Sequence, residues 1–218
     1  MKINAFLFDL DGVIVDTAVY HYQAWKQLAN KLGFDIDEEF NETLKGISRV
    51  DSLKAILAHG QVSLTQEQFD YYATWKNTLY LELVESMTPA DVLPGVSAFF
   101  ADFKSKGIVC ALGSASKNAV KILDKIGMLS QFDAIIDGNS VKNSKPDPEV
   151  FLKGAEALGV EASSCIVFED AFAGLQAAKA ANMFTVGIGD PDVLAIADVL
   201  IPSFTGFTTD ELFTVLEQ

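Results

Sequence analysis

Cysteine, positive charge and long apolar runs are all scarce in this sequence. The two cysteines, Cys110 and Cys165, each lie in an apolar run, which favours buried thiols over a disulfide or a metal-binding pair. Lysine and arginine together number 16 against 30 aspartates and glutamates, which gives a formal net charge of −14. Because nucleic acids and anionic membrane surfaces attract clustered lysine and arginine, we expect neither as a partner.

No apolar stretch approaches the ~20 residues that a membrane-spanning helix needs. The start of the chain lacks the charged and then apolar pattern of a secretion signal, because an acid already occurs at position 9. We therefore expect a cytoplasmic protein. With 218 residues, of which 50% are hydrophobic, the chain can bury one sizeable core and a small second one.

Short apolar runs alternate with amphipathic segments through most of the chain, which predicts an α/β protein with a doubly wound, parallel, Rossmann-like sheet. Residues 15–91 differ, because their apolar periodicity is helical throughout. We therefore predict a core formed by residues 1–14 and 92–218, with residues 15–91 inserted as an all-helical cap domain. The last helix is predicted to begin with Thr209 as its N-cap.

The stretch AFLFDLDGVIVDT, residues 5–17, begins as a buried strand and then turns abruptly acidic at Asp9 and Asp11. Residues two apart point to the same side of a strand, so both carboxylates face one spot at its carboxyl end, where parallel sheets bind ligands. Two such acids repel each other unless a cation or a shared proton relieves them. For these two acids alone, an ordinary acidic turn is the alternative.

Three further strand ends carry residues suited to phosphate or metal chemistry. Ser114 starts a turn of hydroxyls and amides that suits a phosphate, although a simple serine-capped turn is the alternative. Lys145 precedes a helix that prolines open, where an exposed loop lysine is the alternative. Glu169 and Asp170 follow another apolar run and add hard oxygen ligands, which favour Mg²⁺.

In their order, DLDGVIVDT, GSAS, KPDP and the Glu-Asp pair resemble the four motifs of the haloacid dehalogenase superfamily. Its members mostly transfer phosphoryl groups through an aspartyl-phosphate, and one cap type of the superfamily is a helical insert at this position. The resemblance implies that Asp9 is the nucleophile, that Ser114 holds the phosphoryl group and that Lys145 neutralises its charge. The Mg²⁺ ligands that it implies are the Asp9 carboxylate, the Asp11 main-chain carbonyl, Glu169 and Asp170.

Within the predicted cap, LKGISRVDS places Lys45, Arg49 and Ser52 between two helices. In so acidic a protein, two cations beside a glycine suggest a binding site for a second phosphate of the substrate. A solvated charged turn is the alternative. His21 lies beside an apolar stripe and is more typical of a core or boundary residue. Lys76 is a weaker candidate, because a lysine in the middle of a helix is exposed by default.

The strings DLDGVIVDTAVYH, LKGISR and GSASKN closely resemble the β-phosphoglucomutase family. That family interconverts β-D-glucose 1-phosphate and glucose 6-phosphate through a β-glucose 1,6-bisphosphate. The resemblance implies that Asp11 is the general acid and base, and we hypothesise that cap closure desolvates it and raises its pKa. The substrate-binding residues predicted are Thr17, His21, Lys45, Gly46, Arg49, Ser52, Lys76, Ser116, Lys117 and Asn118.

Two other functions compete with a phosphomutase. A sugar-phosphate phosphatase would use the same core and pass the phosphoryl group to water. A non-enzymatic binding protein is the second, and the presence of Asp9, Asp11, Ser114, Lys145 and Asp170 argues against it. Family members with this cap are commonly monomers, so we expect a monomer whose partner is a small sugar phosphate.

Overall fold

The computed structural model describes residues 3–216, which form a six-stranded sheet with helices on both faces. The strands are β1 (Ala5–Phe8), β2 (Val109–Gly113), β3 (Ala134–Ile136), β4 (Cys165–Glu169), β5 (Phe184–Ile188) and β6 (Val199–Ile201). They run in the order β3-β2-β1-β4-β5-β6, and every pairing between neighbours is parallel. The predicted α/β fold with a doubly wound parallel sheet is confirmed.

Strand β1 lies at the centre of the sheet, where the direction of winding reverses. Its last residue, Phe8, stands in register with Leu112 of β2 on one side and Phe168 of β4 on the other. Parallel sheets form a ligand crevice at such a reversal, just beyond the carboxyl ends of the strands. The chain therefore delivers Asp9 directly into that crevice.

The side chains of β1 alternate between two apolar clusters. Phe6 and Phe8 belong to the larger cluster on one face of the sheet, and Ala5 and Leu7 belong to the cluster on the other. The larger cluster is covered by α5 (Val96–Ser105), α6 (Ala119–Lys125) and α9 (Thr209–Leu216). The opposite face is covered by α7 (Glu149–Leu158) and α8 (Phe172–Ala180).

Residues 18–84, called the helical segment below, contain only helices. These are α1 (Ala18–Lys31), α2 (Glu38–Glu42), α3 (Arg49–His59) and α4 (Gln66–Val84). They pack around an apolar cluster of their own that includes Trp25, Leu28, Leu53 and Ile56. The helical periodicity of the sequence thus predicted these elements correctly.

The two connections between the helical segment and the sheet run side by side. Val15 on the outgoing connection forms an antiparallel bridge with Val92 on the returning one. Beside it, the Leu93 amide donates to the Ile14 carbonyl at 2.9 Å. The helical segment therefore leaves and rejoins the sheet at one place, next to the carboxyl end of β1.

The prediction that Thr209 caps the last helix is wrong by one residue. The Glu211 amide donates to Thr208 Oγ1 at 3.2 Å, and the Thr208 amide donates to Glu211 Oε2 at 2.8 Å, which is a capping box. Thr209 is buried, and its hydroxyl donates to Asp102 Oδ2 at 2.5 Å. The second threonine thus joins α9 to α5 instead of capping the helix.

The structure tests the prediction that both cysteines are buried thiols, and it also gives the lengths of the helices. Cys110 and Cys165 are buried and free. Burial raises the pKa of Cys110 to about 12 and that of Cys165 to about 11, so both thiols stay protonated and unreactive, as predicted. Of the helices in residues 3–216, none is both long enough and apolar enough to cross a membrane.

Phe168 should be among the side chains that stabilise the fold most. Its buried ring stacks on Phe8 at 4.7 Å between centroids and meets the edges of neighbouring rings. Phe168→Ala should lower the free energy of unfolding by about 3–5 kcal/mol, measured by urea denaturation. The control Val215→Ala, at a position with 46% exposure, should change it by less than about 1 kcal/mol. Equal losses for the two variants would contradict this account of the core.

Candidate active site

Adjacent strands bring the predicted strand-end residues together. Asp9 follows β1, Ser114 follows β2, and Glu169 is the last residue of β4; all three are at most 4% exposed. The Asp9 amide continues the sheet by donating to the Phe168 carbonyl at 3.0 Å. The register of the sheet therefore brings these side chains to one place.

Lys145 joins two of these acids. Its ammonium donates to Asp9 Oδ1 at 2.5 Å and to Glu169 Oε1 at 2.8 Å, and the side chain is buried. Burial alone would lower the pKa of Lys145, but the negative charges of Asp9 and Glu169 raise it above its usual value. The exposed loop lysine considered as an alternative is therefore wrong, and Lys145 is a permanent cation inside the crevice.

Three carboxylates face one another at the same place. One oxygen each from Asp9, Glu169 and Asp170 lies within 4.8 Å of the other two. Burial and the charge of Glu169 raise the pKa of Asp170 well above its usual value. A compact set of hard oxygen donors fits a divalent cation such as Mg²⁺, which would relieve this repulsion.

Gly12 explains why glycine follows the two acids of the first motif. Its backbone has φ +78°, in the left-handed region, and a Cβ here would lie 2.0 Å from Asp170 Oδ2. Only glycine lets the chain turn this closely beside the carboxylate. The glycine thus makes room for the cluster that the two motifs form together.

Asp11 is held apart from the three clustered carboxylates. Its amide donates to Asp9 Oδ2 at 3.1 Å, and its Oδ1 accepts a hydrogen bond from the Thr17 hydroxyl. Burial, with the nearby charge of Asp9, raises the pKa of Asp11 to about 7. A carboxyl with this pKa can both give and accept a proton near neutral pH. The role of its carbonyl as a metal ligand stays a prediction.

The turn after β2 forms a chain of hydrogen bonds that leads into α6. The Ser116 amide donates to Ser114 Oγ at 3.1 Å, and the Asn118 amide donates to Ser116 Oγ at 3.2 Å. The Lys117 carbonyl accepts a hydrogen bond from Asn139 Nδ2 at 3.0 Å, which fixes the turn to the next loop. Residues 114–118, called the cradle loop below, are thus held in one shape with polar groups at a helix start.

The helical segment meets the acidic cluster at the turn between α2 and α3. Lys45 Nζ lies 2.7 Å from Glu42 Oε2 and 3.9 Å from Asp170 Oδ2. Gly46 has φ +75°, and a Cβ on it would lie 3.0 Å from the Cβ of Ala171. The two predicted residues therefore bring the segment into direct contact with the loop that carries Asp170.

Arg49 begins α3 and is half-buried, and burial lowers its pKa. It is the single arginine in a sequence with 30 acidic residues. Even so, its guanidinium makes no ion pair with any acid between residues 3 and 216. A partly desolvated guanidinium without a carboxylate partner is suited to an anionic ligand. The presence of only one arginine in the sequence is a further signal for an anion-binding role, and the motifs alone do not reveal it.

Lys76 contradicts the expectation of exposure, because only 1% of it is accessible. Its ammonium lies 2.8 Å from His21 Nδ1 and over the rings of Trp25 and Tyr80, at 4.3 and 4.7 Å from their centroids. Aromatic faces on α1 and α4 replace part of the lost hydration. Burial and the charge of Arg49 lower the pKa of Lys76 well below its usual value.

His21 also stacks on Tyr80, with centroids 4.1 Å apart, which agrees with a boundary residue. Burial and the charge of Lys76 lower the pKa of His21 well below its usual value, so the ring is neutral near pH 7. Ser52 is buried in α3, and within residues 3–216 no hydrogen bond connects its hydroxyl to the other predicted site residues.

Two contacts across the crevice were not predicted from the sequence. Asn118 Nδ2 in the cradle loop donates to Asn77 Oδ1 in α4 at 2.9 Å. Glu85, just after α4, pairs with Lys121 and, at 2.6 Å, with Lys125 of α6. The first contact joins the helical segment to the start of α6, and the second joins the chain just after α4 to the body and end of α6.

The family follows from comparison with known proteins. Residues 3–182 match the haloacid dehalogenase-like hydrolase family. The chain belongs to this family and is an enzyme of the haloacid dehalogenase superfamily. The predicted resemblance to the superfamily is confirmed, and the non-enzymatic alternative is not supported.

Within the superfamily, the chain is similar to phosphomutases and to phosphatases of sugar phosphates. The β-phosphoglucomutase of Bacillus subtilis is 39% identical over 218 residues, which cover 99% of this chain and 96% of that protein. The crystal structure of β-phosphoglucomutase from Clostridium difficile matches with a TM-score of 0.96 and 44% identity, covering 99% of this chain and 98% of that one. A fructose-1-phosphate phosphatase of Escherichia coli is 33% identical over 189 residues, which cover 86% of this chain and 97% of that protein.

Removing the buried cation should destabilise the protein when no divalent cation is present. Lys145→Met leaves two buried carboxylates without their shared partner, so the free energy of unfolding in EDTA should fall by about 3–5 kcal/mol. Burial raises the pKa of Glu169 to about 7 in the native protein, and losing Lys145 raises it further. A group with a raised pKa in the folded state lowers the free energy of unfolding as the pH rises toward that pKa. In the variant this fall continues to a higher pH than in the native protein, so the loss of unfolding free energy relative to the native protein should be larger at about pH 8.5 than at about pH 6.

The matched control is Lys153→Met, which removes a partly exposed lysine that pairs with Glu149 on α7. Urea denaturation at both pH values should give it a loss below about 1 kcal/mol. A deficit for Lys145→Met that is equally small, or that shrinks as the pH rises, would contradict the ion-pair account.

Proposed function

We propose that this protein is a β-phosphoglucomutase, which interconverts β-D-glucose 1-phosphate and D-glucose 6-phosphate. The observation that carries the proposal is Arg49. A half-buried guanidinium at the start of α3, with no acidic partner in residues 3–216, would give the crevice a second site for a phosphate, besides the one beside Asp9. The full-length likeness to β-phosphoglucomutases supports the same function.

In the proposed reaction, the phosphorylated Asp9 gives its phosphoryl group to the 6-hydroxyl of β-glucose 1-phosphate. Asp11 takes the proton of that hydroxyl as the new P–O bond forms and the bond to Asp9 breaks. The resulting 1,6-bisphosphate turns end for end, and Asp9 then takes the phosphoryl group from C1. Asp11 returns its proton to the C1 oxygen, and glucose 6-phosphate leaves. A pKa of about 7 for Asp11 supports both proton transfers.

The bisphosphate has to be bound in two orientations, so both ends of the crevice must accept a phosphate. Lys145 and Ser114 would hold the transferring group beside Asp9, where Lys145 already contacts the nucleophile at 2.5 Å. Arg49 and the cradle loop would hold the other phosphate. Phosphoryl transfer depends mainly on such alignment and on charge neutralisation.

The metal of the proposed enzyme is Mg²⁺. The carboxylates of Asp9, Glu169 and Asp170 and the carbonyl of Asp11 would hold it, and the spacing of the three carboxylates supports this set. When bound, Mg²⁺ neutralises negative charge on the phosphoryl oxygens.

Residues 15–91 would act as the cap domain over a core of residues 1–14 and 92–218. The side-by-side connections at Val15 and Val92 support a single hinge. The contact of Gly46 with Ala171 supports a closed state that excludes water from the aspartyl-phosphate. We expect the enzyme to act as a monomer in the cytoplasm, as the resemblance to family members with this cap implies.

The alternative is a sugar-phosphate phosphatase, which the relative named as a fructose-1-phosphate phosphatase supports. The two activities differ in the acceptor of the phosphoryl group. A coupled assay with β-glucose 1-phosphate, Mg²⁺ and a trace of the 1,6-bisphosphate should yield glucose 6-phosphate in large excess over free phosphate. In the same mixture, Asp9→Asn should yield neither product and should not be labelled by radioactive bisphosphate. Free phosphate as the main product of the unaltered protein would favour the phosphatase.

Arg49→Ala separates the same two functions by mutation. Loss of a charge-assisted hydrogen bond should lower kcat/KM for β-glucose 1-phosphate by about 10- to 150-fold. Hydrolysis of p-nitrophenyl phosphate, which has no second phosphate, should change by less than about 3-fold. The control Lys54→Ala removes an exposed cation on the same helix and should leave both rates unchanged. Equal losses on both substrates for Arg49→Ala would count against a phosphomutase.

A further inference from the structure

Asn77 makes a contact that the reaction above does not use. It lies in α4 next to the buried Lys76, and its Oδ1 accepts the hydrogen bond from Asn118 Nδ2 at 2.9 Å. Within residues 3–216, this is the one side-chain hydrogen bond from the helical segment to the cradle loop. Both amides are half-buried, so the bond is partly shielded from water.

The main chain and the side chain of Asn118 are held by different parts of the molecule. Its amide N–H donates to Ser116 Oγ at 3.2 Å, which fixes the backbone to the cradle loop itself. Its carboxamide is fixed by Asn77, 41 residues away on the opposite side of the crevice. The side chain of Asn118 is therefore oriented only while α4 lies over the loop.

A carboxamide has an oxygen acceptor on one side and two N–H donors on the other, and it can rotate to present either. In the structure the NH₂ group of Asn118 is turned toward Asn77 Oδ1, and this hydrogen bond holds the Asn118 carboxamide in that rotation. One N–H is used in this bond, and the second is left for another acceptor. A phosphate oxygen is such an acceptor, whereas the carboxamide oxygen of Asn118 would repel it.

We propose that Asn77 is a positioning residue for the phosphate that is not transferred: by accepting a hydrogen bond from Asn118 Nδ2, it fixes the Asn118 carboxamide so that its second N–H is available to a phosphate oxygen when the helical segment closes. The inference rests on the proposed function, because it assigns the second phosphate to the cradle loop. It adds a residue on the opposite side of the crevice, which acts through Asn118 and not on the substrate. Closure and phosphate binding then reinforce each other.

A double-mutant cycle tests this inference on the full-length protein with Mg²⁺. Asn77→Ala should lower kcat/KM for β-glucose 1-phosphate by about 2- to 12-fold, the range for one neutral hydrogen bond, mainly through a higher KM. Asn118→Ala should lower it at least as much. In the Asn118→Ala background, adding Asn77→Ala should change it by less than about 2-fold, because Asn77 then has nothing to orient.

Two further variants separate this effect from changes in folding. Asn77→Leu keeps the volume of the side chain without its acceptor, and it should behave like Asn77→Ala. Thr78→Ala is the matched control, because the Thr78 hydroxyl only donates to the Thr74 carbonyl of its own helix. It should keep the native kcat/KM. Thermal unfolding should give similar midpoints for all the single variants, and a variant that fails to fold is replaced by the other substitution at position 77.

Calorimetry of glucose 6-phosphate binding to the same four proteins of the cycle distinguishes a failure of the proposed phosphomutase activity from a failure of the proposed role of Asn77. Coupled losses of affinity, with no glucose 6-phosphate formed from β-glucose 1-phosphate, would overturn the phosphomutase and leave the role of Asn77 standing. Normal phosphomutase activity with losses that simply add would overturn the role of Asn77 alone. Native affinity and KM in Asn77→Ala would also overturn it.

Discussion

Negative charge crowded into a small buried volume is the constraint on which the rest of this structure depends. Three carboxylates lie within 4.8 Å of one another at the centre of the sheet. Lys145 satisfies two of them, and the amides of Asp170 and Ala171 donate to the remaining oxygen of Glu169 at 2.8 and 3.1 Å. The charge left after these contacts would attract a divalent cation, and in the proposed function that cation would neutralise the phosphoryl group in the crevice.

Packing in the apolar core offsets the repulsion between the clustered carboxylates. Strand β1 contributes to both the core and the cluster, because Phe6 and Phe8 are in the core and Asp9 is the next residue. The rings of Phe8 and Phe168 stack across β1 and β4, immediately beneath Asp9 and Glu169. Aromatic packing therefore holds the two strand ends in register against the repulsion between their acids. Buried aromatic packing therefore lies directly below the clustered carboxylates.

The sequence predicted the sheet and three of the four strand ends because both depend on local patterns; Lys145, expected at the fourth, lies instead in the loop before α7. Apolar runs identify strands, and parallel strands bring their carboxyl ends to one edge, so Asp9, Ser114 and Glu169 had to meet. The burial of Lys76 could not be read in this way, since it depends on rings from two helices that pack together only in the fold. The contact between Asn77 and Asn118 was hidden for the same reason, because nothing local relates residues 41 positions apart.

The paired connections at Val15 and Val92 have a consequence for how such enzymes diversify. Both ends of the helical segment are joined beside each other, and the segment has an apolar cluster of its own. A different set of helices, spliced in between the same two points, would leave the strand register and the acids of the crevice untouched. Under the proposed function, exchange of this segment would change the sugar that is bound and would keep the groups that transfer the phosphoryl group, in evolution as in protein engineering.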